Sequence, residues 1–152
     1  MPVFAPVDAD FAARVRASFQ RQPAMATIGA QLAELAAGRV VLTLAHAPHI
    51  TQQHGFIHAG MVAAALDSAC GYAAATLMPA DAGVLTIEFK INLLSPARGP
   101  LLRCEAQVTK AGRSISVVDA SAWQTLPDGR TQRVATMTAT VMTITGRDDV
   151  RH

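Results

Sequence analysis

Gly60-Met-Val-Ala-Ala-Ala-Leu-Asp-Ser-Ala-Cys-Gly-Tyr-Ala-Ala-Ala-Thr-Leu77 is apolar on almost every side of a helical wheel, with no polar stripe to turn towards water. A helix of this kind has to be enclosed all round. Its Ala and Gly residues let other backbones approach closely. The run from Ala59 to Met78 is long enough to raise the question of a membrane span, and its composition argues against one. Asp67 stands near its middle, where an acid costs about 2.5–3.5 kcal/mol on insertion, and Ala returns little. A soluble chain is expected, with the helix inside the protein.

Downstream of this helix the pattern changes to alternation. Leu85, Ile87, Phe89, Ile91 and Leu93 fall on one face of a strand, and Thr86, Glu88, Lys90 and Asn92 on the other. Ser95-Pro-Ala-Arg-Gly-Pro100 breaks it. Further strands are predicted over 102–108, 115–123 and 131–144, separated by the Ala111-Gly-Arg113 turn and the Pro127-Asp-Gly129 hairpin signal. Short turns imply neighbouring antiparallel strands. Upstream, alternation over 39–46 gives another strand and residues 28–35 a shorter one. Phe11, Val15 and Phe19, four apart and followed by Pro23, give an amphipathic helix over 10–22 with Asp8 or Asp10 as its cap. The expected fold is α+β: an antiparallel sheet curled around one long central helix, with an extra N-terminal helix. The expected layout is an N-terminal helical extension over 1–23, one domain over 24–145 and a polar, frayed tail over 146–152.

Composition narrows the function. The chain has 152 residues, 51% of them apolar and 16% charged, which suits one globular domain. A net charge of +2 with 5% aromatics gives no footprint for nucleic acid. Cys70 and Cys104 lack metal-ligand spacing and read as buried, reduced thiols. The start of the sequence lacks the basic and apolar segments of a secretory signal, so a cytoplasmic location is expected. No cluster of His, Cys and acid has ligand spacing, and no metal is expected. Ser68 and Ser114 lack a nucleophile elbow.

Polar residues concentrate in Thr51-Gln-Gln-His-Gly-Phe-Ile-His-Ala-Gly60, immediately before the apolar helix. Free N–H groups and the helix dipole favour negative charge there, such as that growing on a carbonyl oxygen under attack. Asp67 is the lone acid of the helix, and an unpaired carboxylate in such surroundings is expensive. It is either paired or used. It lies eight residues beyond Ala59, ~12 Å along the axis. A base and an oxyanion donor each have to reach one carbonyl within about 3 Å. Within one chain they cannot. A two-fold dimer with antiparallel helices would bring Asp67 of one subunit towards the Ala59 amide of the other.

The run from Gln52 to Asp67 resembles the PaaI-like branch of the hotdog-fold acyl-CoA thioesterases. That family carries an amide residue, a His-Gly-Gly signature opening the central helix, and an Asp or Glu further along. Gln52, His58-Ala59-Gly60 and Asp67 stand at those positions. The stretch from Thr86 to Ala97 looks like the family's next strand and Pro turn, and Gly112-Arg113-Ser114 resembles the turn placed near the CoA phosphates. The resemblance covers about residues 24–144. It implies hydrolysis of an acyl-CoA thioester to a free acid and CoA without a cofactor, by a homodimer with composite sites, and homotetramers are common in the family. Asp67 would be general base or nucleophile, the Ala59 N–H would polarise the carbonyl, Gln52 would orient thioester or water, and Thr86 would help hold the water. Ala59 adds a methyl where the family has Gly, and Gln52 reaches one methylene further than Asn.

Each residue also has a plainer reading. Asp67 could be paired for structure, Gln52 or Gln53 could hold a loop, and His58 suits a backbone-bonding role at the helix start better than a catalytic one. His46, His49 and His54 read as loop or surface residues. Thr86 falls on the polar face of its strand, and Lys110 and Arg113 could be ordinary hairpin charges. Two other functions remain open: a hotdog hydratase pairing His54 or His58 with Asp67, and a non-catalytic acyl-CoA binder.

Overall fold

The apolar helix begins where His58 can cap it. The His58 Nδ1 accepts the Gly60 N–H at 2.8 Å, satisfying one of the amides that a helix start leaves open. The helix, α3, runs over Ala59–Ala75 in the computed structural model, which describes residues 2–152. Its other end is held from outside. The Arg14 guanidinium donates through Nη2 to the carbonyls of Ala75 and Met78, both at 3.1 Å, setting a positive charge at the negative end of the helix dipole. Nε of the same guanidinium pairs with Asp8 at 2.8 Å.

Arg14 belongs to α1 (Phe11–Gln20), and Pro23 opens a second short helix, α2 (Pro23–Ile28). Pro23 therefore starts a helix as well as ending the first, since its missing N–H does no harm at a first helical position. Asp10 occupies the cap position of α1 without a side-chain bond. Asp8 instead accepts the Asp10 N–H at 2.9 Å.

Six strands follow in one antiparallel sheet: β1 (Ala30–Ala36), β2 (Arg39–Ala45), β3 (Gly83–Leu93), β4 (Leu101–Ala111), β5 (Ile115–Thr125) and β6 (Thr131–Ile144). Their order is β1-β2-β4-β5-β6-β3. The sheet wraps α3, which packs against β2 through β6. Val62, Ala65, Leu66, Ala69 and Cys70 from the helix are buried with Val40, Leu42, Leu102, Val118 and Val141 from the strands.

One short turn does not join neighbours. β3 pairs only with β6, so residues 94–100 cross the ends of β6 and β5 to reach β4. Three strand spacings are about 14 Å, and seven residues reach up to about 25 Å when extended. β3 is left as an edge with apolar side chains in the open: Leu85, Ile87, Phe89 and Leu93 are 44–55% exposed.

β3 also departs from strict alternation. Thr86 pairs with Val141 and Glu88 with Thr140, leaving Ile87 without a partner. Such a bulge reverses the facing of everything beyond it. Thr86 shares its level with the buried Val141, and after the bulge Phe89 and Ile91 stand beside the buried Ala139 and Met137. Leu85 instead meets the exposed Met142.

The expected frayed tail folds back on the domain. The His152 Nδ1 lies 2.8 Å from the Ser18 hydroxyl and its ring packs on Tyr72. Val150 covers Gly83 so closely that a Cβ there would meet the Val150 carbonyl oxygen at 2.5 Å. Among the described residues no helix is long and apolar enough to cross a membrane.

Candidate active site

Asp67 projects from the middle of α3 and is half-buried. The Thr86 hydroxyl donates to its Oδ1 at 2.8 Å. Burial pushes the Asp67 carboxyl above its ordinary value, and the Thr86 hydrogen bond opposes that rise. No cation pairs with it among the described residues.

Asp67 and Thr86 open onto a cavity of about 510 Å³, which Ser68 and Tyr72 of α3 share with Gln22 and Ser18 of the extension. The Ser68 hydroxyl donates to Gln22 Oε1 at 3.1 Å. The tail reaches this cavity through His152, whose imidazole is lowered to about 4 by burial and by the nearby Arg14 and Arg21.

Ala59 faces elsewhere. With Gln52, Gln53 and His58 it borders a second cavity of about 620 Å³, walled by Leu93, Leu94 and residues 95–97. The amides of Gly60, Met61 and Val62 bond to His58, through its Nδ1 or its carbonyl. Among the described residues nothing accepts the Ala59 N–H. The sequence spacing and the structure agree that one subunit does not bring Asp67 and Ala59 to one point.

The remaining residues fall as follows. Gln52 turns its side-chain oxygen onto the His54 N–H and so holds its own loop. Gln53 lies 3.5 Å from the exposed His54 ring. His58 serves as the helix cap. His46 and His49 bond to the carbonyls of Gly55 and Thr27. Gly112, Arg113 and Ser114 form the β4–β5 turn at the Thr86 end of the sheet, since Ile115 and Leu85 both pair with Met142. The β5–β6 hairpin and Leu93 lie at the opposite end.

Gln22, Ser68 and Tyr72 join the Asp67 cavity without any signal in the local sequence. Gln22 comes 46 residues before Ser68, and only the docking of the extension on α3 brings them together.

A six-stranded antiparallel sheet curled around one long helix is the hotdog fold. The thioesterase superfamily profile matches residues 54–127. A thioesterase family protein from Silicibacter pomeroyi is 51% identical, covers 90% of this chain and 99% of its own, and superposes with a TM-score of 0.86. The chain belongs to this thioesterase family. A relative from Saccharolobus solfataricus, provisionally named an esterase, is 35% identical over 96 residues, a match spanning 63% of this chain and 63% of that relative's own length. PaaI of E. coli, from the phenylacetic acid degradation operon, shares the fold with a TM-score of 0.77 at 20% identity, covering 90% of this chain and 95% of its own.

Proposed function

We propose that this protein hydrolyses an acyl-CoA thioester to the free acid and CoA, as a homodimer with two composite reaction centres. The observation that carries this reading is the division of the site: Asp67 with Thr86 in one cavity, the bare Ala59 amide in another. The open β3 edge supplies the means of joining them. Antiparallel pairing of two β3 strands sets the Gly83 end of one against the Leu93 end of the other. That carries the Asp67 cavity of one subunit towards the Ala59 cavity of the partner subunit.

At the composite centre the thioester carbonyl oxygen accepts the N–H of Ala59 of the partner subunit. Asp67, ionised and oriented by Thr86, takes a proton from water as the water oxygen bonds to the carbonyl carbon. The tetrahedral intermediate collapses with cleavage of the C–S bond, and the sulfur leaves as thiolate and is protonated. In the nucleophilic form of the same reaction an Asp67 oxygen bonds to the carbonyl carbon first, CoA leaves, and water opens the resulting anhydride. The partner's Gln52 borders the acyl side, and Arg113 offers positive charge to the CoA phosphates. The reaction needs no cofactor. Paired dimers would give the homotetramer, in a cytoplasmic setting.

The test is thiol release from short, medium, long and aromatic CoA thioesters, comparing wild type with Asp67→Asn at matched oligomeric state. A fall of about a hundredfold or more supports the reading. Turnover indifferent to Asp67 removes it from the mechanism. Single turnover in H₂¹⁸O tests the nucleophilic form, because water that opens the anhydride at the Asp67 carbonyl leaves its label in Asp67, whereas the general-base route labels the free acid alone. Hydration of crotonyl-CoA, or tight binding of CoA esters without turnover, would replace thioester hydrolysis with the hydratase or the binder.

A further inference from the structure

The turn that crosses from β3 to β4 has a buried anchor. Gln124, on β5, is 2% exposed, and its side-chain amide is fully used. Nε2 donates to the Pro96 carbonyl at 3.0 Å and to Gln132 Oε1 at 2.9 Å, while Oε1 accepts the Arg98 N–H at 2.9 Å. Gln124 thus grips the residues on either side of Ala97. The Ala97 carbonyl accepts the Ile57 N–H at 2.9 Å, and Ile57 leads directly into the His58 cap and Ala59. A second bond, from the His58 N–H to the Ile50 carbonyl at 2.9 Å, fixes the same segment from its other side.

We infer that Gln124 is a positioning residue for the reaction: through Ala97 and Ile57 it sets where the Ala59 N–H points. A buried amide with every donor and acceptor matched is rigid and specific about its partners. The crossing turn has no strand neighbour of its own at residues 96–98, so without Gln124 the Ala97 carbonyl is left to the Ile57 bond, its own burial and the stacking of Arg98 on Phe56, and the turn is held less firmly. A displacement of about 1 Å at a reacting group can lower a rate about a hundredfold. The inference rests on the reading of Ala59 as the carbonyl-polarising group.

Two variants test it. Gln124→Met keeps the length of the side chain and removes all three bonds. Gln132→Leu is milder and removes only the outermost partner. The first readout is the infrared carbonyl band of a CoA thioester bound to the slow Asp67→Asn protein, with and without Gln124→Met, recorded with protein in excess and with the band of free ester subtracted after the bound fraction is measured by equilibrium binding. The second is amide hydrogen exchange. The expected result is a bound carbonyl band shifted to lower frequency that returns towards its position in water with Gln124→Met. The Ile57 and His58 amides should exchange at least tenfold faster while the β5–β6 ladder is unchanged. In the otherwise wild-type protein kcat falls about 10- to 100-fold with Gln124→Met, and less with Gln132→Leu. A shifted band that stays in place with Gln124→Met overturns the inference. So does exchange that quickens equally along β5 and β6, which would mark Gln124 as a general sheet anchor. A band unshifted even with Gln124 intact overturns the Ala59 reading itself, and the exchange data then judge the Gln124 anchor separately.

Discussion

Thr86 reaches Asp67 at 2.8 Å from the residue immediately before an unpaired Ile87. The bond favours the ionised carboxylate against the burial that opposes it. If Asp67 acts as base or nucleophile, kcat/KM falls as pH drops through its raised value, so the acid limb should lie above the ordinary carboxylate range. Thr86→Val removes the opposing bond and should move that limb to still higher pH. A pH–rate profile of the two proteins checks this, and coincident limbs would separate Thr86 from the ionisation of Asp67.

The same shift bears on stability. A carboxyl whose folded value is raised binds its proton more tightly in the folded state than in the unfolded one. Stability therefore falls as pH rises from the ordinary value to the raised one, and the loss remains in full above both. Asp67→Asn should raise the melting temperature by a few degrees at neutral pH. The gain should shrink below pH 4. Thermal denaturation at both pH values decides it.

How much could be read in advance differs between the helix and the strand beside it. An eighteen-residue run with no polar side admits one placement, so α3 and its enclosure follow from composition. Asp67 stands out for the same reason, as the one acid in that run. β6 is legible because hairpin residues precede it and apolar and polar residues alternate from Ala135 to Val141. Thr86 is legible only through the family resemblance: alternation assigns it to the polar face, and the bulge at Ile87 is what turns it to the acid. Pro23 reads as a stop, although the same chemistry opens α2. Gln22 and Gln124 matter through partners far away in sequence, and nothing beside them announces those partners.

The open edge of β3 should be the place where dimerisation fails first. Ile87→Lys sets a charge on an exposed apolar strand where two copies would meet. Analytical ultracentrifugation should show a folded monomer with unchanged far-ultraviolet circular dichroism. Thiol release per subunit should fall more than tenfold, because each centre loses half its groups. A fully active monomer would rule out composite sites.

Arg14 ties the extension to the end of α3 by two carbonyl bonds, and the Asp8 pair within the extension holds its guanidinium in place. Arg14→Met keeps much of the packing and removes those bonds, leaving the Ala75 and Met78 carbonyls without that donor. A loss of about 1.5–3 kcal/mol in unfolding free energy is expected, measured by urea denaturation. Activity at low temperature should be retained.

The extra residue at Ile87 lets both halves of β3 turn alternate side chains to the core face of the sheet, Thr86 before it and Phe89 and Ile91 after it. Deleting Ile87 would restore an unbroken pleat with Thr86 still opposite Val141 and Glu88 opposite Thr140, so the side chain presented to the acid would stay the same. A codon lost at this one point therefore leaves the neighbour of the acid unchanged, whereas a codon lost elsewhere in β3 turns part of the strand over and exchanges side chains between its faces.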